Sequence, residues 1–197
     1  MFKTNVSRVF IKPKPATVYE VKTITQYDVT DLTKWHYFSF EKGFIGESTI
    51  WPAPGNDSIW KERTDWDIAF HKNNVKTNSG VSGNGQVGVI KLDTHDFESI
   101  TKVPQGDWVT DIQDSVMVNN QGGHTFALST VNPELNAWAG FNHDEMAWLL
   151  AKRNVFIIKT VDGKYAKLQF LNILNDEDAS GYMTLQYVYA KDGGTDF

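Results

Sequence analysis

The side chains in this sequence whose type and spacing could bind a metal are the histidines, at His36, His71, His95, His124 and His143. No two of them have the four-residue spacing of a helical zinc-protease motif. The chain has no cysteine, which excludes zinc–thiolate sites, iron–sulfur clusters, thiolate catalysis and disulfides. We expect His71 to be satisfied by its neighbours. His36 and His95 are expected to be exposed or in loops.

Two of these histidines have a context that suits ligation of a haem iron. His124 follows Gly122-Gly123 in a predicted turn, and His143 follows the aromatic segment 138–142. A haem pocket needs axial nitrogen or sulfur ligands on loop segments beside an apolar, aromatic wall. The separation of 19 residues permits ligation from two sides without requiring it. From these residues alone, His124 and His143 could be haem ligands or ordinary surface histidines.

Other chemical motifs do not predict catalysis. Residues 83–88 have the Gly-x-Gly-x-x-Gly spacing of a nucleotide loop, but residues 89–93 read as a strand where a helix would be required. Asp65 and Asp67 point the same way on a strand, without the separation of an acid–base pair, and are expected to be solvated or to cap turns. No Gly-x-Ser-x-Gly elbow occurs. We therefore predict that the protein is not an enzyme.

The elements that position these residues are predicted to be β-strands. Alternation of apolar and polar residues dominates, with many β-branched and aromatic side chains. Residues 154–160 and 165–173 flank Asp162-Gly163, which predicts a tight hairpin. Residues 181–189 alternate and predict a third strand beside that hairpin.

Further strands are predicted over residues 34–42 and 66–71. Residues 116–118 and 126–128 alternate on either side of the His124 turn and predict another hairpin. Residues 78–88 are rich in Gly, Ser and Asn and predict a loop. The one helix that the pattern predicts covers residues 144–153, because Met146, Leu149 and Leu150 share a helical face and two acids lie in its first turn. The fold class is therefore all-β, with antiparallel strands and at most one or two short helices.

Length and charge limit the organisation and partners of the protein. The 197 residues and 22.3 kDa predict a single domain over 1–197, with residues 1–15 as an N-terminal extension. Nineteen basic and 24 acidic residues give a net charge of −5 without basic runs, which argues against nucleic acid as a partner. No apolar run is long enough to cross a bilayer. The first residues lack an apolar leader, so the chain is either cytoplasmic or has had a targeting segment removed.

Several segments together resemble the HmuY family, the haem-binding lipoproteins of Bacteroidetes. Residues 35–43 resemble the family's Trp-x-Tyr-Phe-Ser-Phe-x-Lys-Gly segment. The other matching segments are 65–72 with 77–80, the hairpin at 154–170 and the last strand at 181–189. The resemblance covers about residues 33–189, with 118–149 the most divergent part. It implies an all-β fold, in agreement with the periodicity.

The resemblance also implies a ligand set, because the family holds haem iron from both sides with two histidines or two methionines. The family's Gly-His turn aligns with His124, and its Trp-x-x-Phe-x-His segment ends at His143. His124 and His143 are therefore the expected axial pair. The stretch between them is shorter than in the bis-histidine pattern, which makes Met117 and Met146 the rival ligands.

The function implied by the resemblance is haemophore-like. The protein would capture haem b (iron protoporphyrin IX), free or from host haemoproteins, and deliver it to a TonB-dependent outer-membrane receptor. It would be exported, as a surface lipoprotein or a secreted protein, and its only membrane attachment would be a lipid anchor that this sequence does not contain. The alternative is a cell-surface glycan-binding or adhesion module without a haem site, suggested by seven tryptophans on an all-β scaffold.

Overall fold

The computed structural model describes residues 18–197, and within them the chain forms thirteen β-strands and two short helices. The strands are β1 (Lys22–Asp28), β2 (Lys34–Ser39), β3 (Gly43–Thr49), β4 (Ile68–His71), β5 (Asn74–Thr77), β6 (Gly88–Leu92), β7 (Ile112–Asn119), β8 (Thr125–Val131), β9 (Ala139–Asn142), β10 (Ala147–Leu150), β11 (Val155–Lys159), β12 (Tyr165–Leu174) and β13 (Ser180–Ala190). The helices are α1 (Asp57–Lys61) and a 3-10 helix (Leu135–Trp138). The all-β prediction is confirmed, while the predicted extension at residues 1–15 lies outside the described residues. Neither helix in the described part of the chain has the length and apolar composition needed to span a bilayer.

A five-stranded antiparallel sheet with the order β1-β13-β12-β11-β6 forms one layer. The predicted C-terminal hairpin is its β11–β12 pair, which runs in register from Val155↔Gln169 to Lys159↔Tyr165. The turn between them contains Gly163 at φ +77°, a left-handed conformation that glycine adopts without steric cost. β13 pairs with β12, so the predicted third strand is also confirmed.

The second layer is a four-stranded sheet with the order β3-β2-β4-β5. One face packs on the five-stranded sheet through edge-to-face rings, with Phe38–Tyr187 centroids 5.6 Å apart and Phe70–Phe170 centroids 6.3 Å apart. The other face carries Trp35 and other aromatic side chains, and the valines of the β7–β8 hairpin cover it. The β7–β8 hairpin is therefore held by a core of its own on the outer side of the four-stranded sheet.

The prediction of a helix over residues 144–153 was wrong, because the structure has the β9–β10 hairpin there. β10 pairs with β9 in antiparallel register, with Trp148 opposite Phe141. Asn142 Oδ1 accepts hydrogen bonds from the backbone N–H groups of Asp144 and Glu145, at 2.9 and 3.2 Å, as a helix cap would. Met146 then takes φ +50°, outside the right-handed helical region, and the chain returns as β10. Trp148 and Leu150, two residues apart in β10, both pack against the main core. The chain therefore follows the two-residue period of a strand at this point, not the period of a helix.

Three further predictions about β2 and β4 were wrong in part. His36 was expected to be exposed or in a loop, yet it is only 5% exposed, in β2 opposite Phe70 of β4. Trp66 was expected in the same strand as Ile68, but it precedes β4 and packs under the β7–β8 hairpin, whereas Ile68 and Phe70 face the main core. Asp67 was expected to be solvated or to cap a turn, but it is buried. Its carboxylate accepts backbone N–H groups of Phe40 and Val161, both at 2.8 Å, and so joins β2 to the β11–β12 turn.

The remaining loop predictions are confirmed. Residues 78–87 run through bends and turns, and β6 follows them as the predicted strand, so the glycine-rich segment has no helix with which to cradle a phosphate. His95 is exposed and lies in a loop.

Candidate functional site

A cavity of about 460 Å³ lies where three β-turn regions meet. The β7–β8 hairpin, the β9–β10 hairpin and the β4–β5 turn all contribute to its wall. The lining residues are Lys72, Met117, Asn120, His124, Phe141, His143 and Trp148. Its volume is within the range of about 300–1,000 Å³ that is typical of small-molecule sites.

The β7–β8 hairpin supplies Met117 near the end of one strand and His124 just before the next. The pairing of the two strands is regular up to Met117↔Phe126 and then shifts at a bulge. In the turn, Gln121 N–H donates to Asn119 Oδ1 at 2.9 Å, and Gly122 and Gly123 take φ angles of +72° and +137°. The glycine pair therefore allows the tight reversal that places His124 at the mouth of the cavity.

The β9–β10 hairpin supplies an aromatic wall. The rings of Phe141 and His143 meet edge to face with centroids 5.1 Å apart, and those of Phe141 and Trp148 with centroids 5.6 Å apart. Phe141 is 37% exposed, so part of its ring is available to a ligand. The wall can offer ring faces and edges to a flat apolar molecule.

The same hairpin is anchored in the main core. Trp138, directly before β9, stacks on Phe170 with centroids 4.2 Å apart, and its indole N–H donates to the backbone carbonyl of Asn73 at 2.9 Å. Asn73 belongs to the β4–β5 turn, which itself lines the site through Lys72. Two of the three segments around the cavity are thus tied to each other independently of any ligand.

The structure brings three of the four predicted ligands together. His124, His143 and Met117 line the one cavity, and both histidines are exposed while Met117 is half-buried. Met146 is not among the lining residues. It lies in the β9–β10 turn at φ +50° and is 73% exposed.

The other histidines of the described chain, apart from the exposed His95, are buried outside this cavity. The Nε2 of His71 hydrogen-bonds the backbone carbonyl of Leu32 at 2.8 Å, as expected for a histidine satisfied by its neighbours. Burial lowers the pKa of His71 to about 4, so this ring is neutral near pH 7. Residues 18–197 contain no cluster of three or more His, Asp or Glu side chains able to hold a bare metal ion.

Lys72 and Asn120 were not foreseen as site residues. Lys72 is the last residue of segment 65–72, which resembles the HmuY family, but nothing in the sequence around it indicates a cavity. It reaches the site only because β4 and β5 turn beside the β9–β10 hairpin, with the Lys72 Nζ 5.3 Å from the centre of the Trp148 ring.

The side chains that line the cavity are suited to binding a ligand. Two imidazoles and one thioether are donors to a soft or borderline metal, and the aromatic side chains provide flat contact surfaces. Neither an acidic residue nor a hydroxyl nucleophile is among the lining residues. The fold and the site therefore define an all-β protein with an aromatic cavity that carries nitrogen and sulfur donor side chains.

Comparison with known families identifies the group within that class. The family model described as HmuY protein matches residues 31–187, so the chain belongs to the HmuY family. A comparison with curated protein sequences gives no significant match.

Solved structures from Bacteroides and Tannerella share the fold. A candidate lipoprotein of Bacteroides fragilis is 25% identical, covers 86% of this chain and 88% of its own, and superposes with a TM-score of 0.67. A candidate HmuY-like haem-binding protein of Bacteroides vulgatus is 24% identical over 91% of this chain and 96% of its own, with a TM-score of 0.69. The apo form of an HmuY analogue from Tannerella forsythia is 24% identical over 90% and 98%, with a TM-score of 0.65.

Proposed function

We propose that the protein binds haem b, as iron protoporphyrin IX, in the cavity between the β7–β8 and β9–β10 hairpins. The observation that carries this proposal is that His124, His143 and Met117, which come from two hairpins, line one cavity with an aromatic wall. Membership of the HmuY family supports it. A structural relative described as a candidate HmuY-like haem-binding protein is consistent with it.

His124 and His143 are the proposed axial ligands. They belong to different hairpins, and both side chains are exposed to solvent at the cavity that they line. The rival pair of Met117 and Met146 is less favoured because Met146 does not line the cavity. The distinction has a chemical consequence, since a thioether ligand raises the haem potential.

The test is a titration of the purified protein with haemin, followed by absorbance under oxidising and reducing conditions. We expect saturable binding with a low-spin spectrum that is lost in His124→Ala and in His143→Ala. Met146→Leu is the matched control and should keep the parent spectrum. A spectrum that survives both histidine substitutions but is lost in Met117→Leu would refute histidine ligation, and the absence of saturable binding by the parent would refute the proposed function.

In this proposal the protein is an exported haem carrier without catalytic activity. It is held at the outer surface by a lipid anchor, takes haem in free form or from host haemoproteins, and passes it to a TonB-dependent outer-membrane receptor. A related structure described as a candidate lipoprotein supports the location. Uptake from a host protein is tested by mixing the parent with methaemoglobin, and an unchanged haemoglobin spectrum would contradict it.

The glycan-binding alternative has less support. Within the described residues four of the seven tryptophans, Trp35, Trp60, Trp66 and Trp138, are buried in the cores, and the other three are half-buried. Sugar stacking needs an exposed ring face. The tryptophans that suggested this alternative are therefore explained mainly by packing.

A further inference from the structure

Lys72 is the one lysine or arginine among the residues that line the proposed haem cavity. It also lines a smaller adjoining cavity of about 120 Å³, together with Met117 and Trp148, which are shared by both. Neither cavity has an acidic residue in its lining. The Lys72 side chain therefore borders both cavities, and its Nζ lies 5.3 Å from the centre of the Trp148 ring, which also lines both.

The charge of Lys72 has no ionic partner. Within residues 18–197 no carboxylate forms an ion pair with it, in contrast to Lys76, whose Nζ lies 2.9 Å from Asp57. Its recorded side-chain contact is with the ring of Trp148. Burial lowers the pKa of Lys72, and no neighbouring acid opposes this effect. A half-buried cation in this situation gains more from an incoming anion than a solvated one does.

The backbone of Lys72 is held in place. It occupies a left-handed position, φ +52°, between β4 and β5, where His71 pairs with Asn74. Its N–H donates to the carbonyl of Val29 at 3.2 Å. The side chain thus begins from a defined point at the edge of the cavity, and its freedom is confined to its own rotamers.

We propose that Lys72 binds a carboxylate at the edge of the ligand and makes the site selective for tetrapyrroles that carry propionate groups. This inference rests on the proposed function and adds a residue that determines specificity. Protoporphyrin IX has two such carboxylates, whereas its dimethyl ester has the same flat ring and iron but no negative edge. A charge-assisted hydrogen bond in a partly desolvated site corresponds to a preference of roughly 10- to 100-fold.

The test compares dissociation constants for haemin and haemin dimethyl ester. The variants are Lys72→Gln, Lys72→Arg and, as a matched control for loss of one positive charge, Lys191→Gln at an exposed position far along the chain. We expect the parent and Lys191→Gln to prefer haemin by roughly 10- to 100-fold. Lys72→Gln should weaken only haemin binding and bring the two constants together, and Lys72→Arg should keep the preference.

The outcomes separate this inference from the proposed function. Low-spin, His124- and His143-dependent haemin binding with an unchanged preference in Lys72→Gln would overturn the role of Lys72 alone. Equal weakening of both ligands in Lys72→Gln would show that the side chain acts by packing, and loss of the low-spin spectrum would show that it ligates iron, so either result overturns it. Failure of the parent to bind either compound would overturn the proposed function and this inference together.

Discussion

Removing the negative charge of Asp57 should destabilise the protein more than removing the positive charge of Lys76. Lys76 in β5 is 1% exposed, and its Nζ lies 2.9 Å from both carboxylate oxygens of Asp57 in α1. The rings of Trp35 and Tyr37 surround the ammonium, with centroids 4.5 and 5.1 Å away. The Asp57 side chain is 33% exposed, so the two partners differ in their access to water.

The magnitude follows from this asymmetry. In Asp57→Asn the buried ammonium loses its counter-charge, which for a buried pair costs about 3–5 kcal/mol of unfolding free energy. In Lys76→Met the carboxylate keeps the hydroxyl of Ser48 at 2.6 Å, the hydroxyl of Tyr37 and contact with water. Burial opposes ionisation of Asp57, but Lys76 and these donors together hold its pKa below the usual range. We therefore expect Lys76→Met to cost about 1.5–3 kcal/mol, the range for loss of a hydrogen bond to a charged group, because the remaining carboxylate is partly solvated and still hydrogen-bonded.

The assay is urea denaturation at pH 7 of the parent, the two single variants and the double variant, monitored by circular dichroism and tryptophan fluorescence. The double variant should be more stable than Asp57→Asn, because the unpaired ammonium has been removed. The reasoning would be refuted if Asp57→Asn cost less than about 1 kcal/mol, or if the double variant were no more stable than Asp57→Asn.

Three further predictions concern pH and packing. The pKa of His71 is about 4 in the folded protein and about 6.5 in the unfolded chain, so the unfolded chain takes up the proton first as the pH falls. The free energy of unfolding should therefore drop by about 3 kcal/mol between pH 6.5 and pH 4. Urea titrations of His71→Gln should show a smaller drop over this range, and an equal drop in both proteins would contradict this origin. Protons compete with iron for an imidazole nitrogen, so the dissociation constant for haemin should rise as the pH is lowered if His124 and His143 are the ligands, and a constant that does not change with pH would argue for a thioether ligand. A Cβ on Gly88 would lie 2.9 Å from the Cβ of Trp108, so Gly88→Ala should lower the free energy of unfolding by about 1–3 kcal/mol, measured by thermal or urea denaturation. Gly140→Ala is the control, since nothing lies within 4 Å of the added atom. Equal losses in the two variants would show that packing against Trp108 is not the cause.

Elements with strong local signals could be predicted from the sequence. The β11–β12 hairpin follows from Asp162-Gly163 between two alternating runs, and the turn before His124 follows from its two glycines. The signal failed at residues 144–153, where three apolar residues had a helical spacing. There Met146 takes a left-handed conformation that a helix does not allow, and pairing with β9 outweighed the local pattern.

The sequence by itself determined the strand character, the hairpin turns and the residue types that can ligate a metal, because each depends on neighbours along the chain. Only the tertiary structure decided that His36 is buried, that Met146 is outside the cavity and that Lys72 is part of its wall. The physical reason is that the cavity is built from three turns separated along the chain, and their meeting depends on how two sheets and two hairpins pack. Burial and the pairing of charges are properties of that packing, which no local pattern encodes.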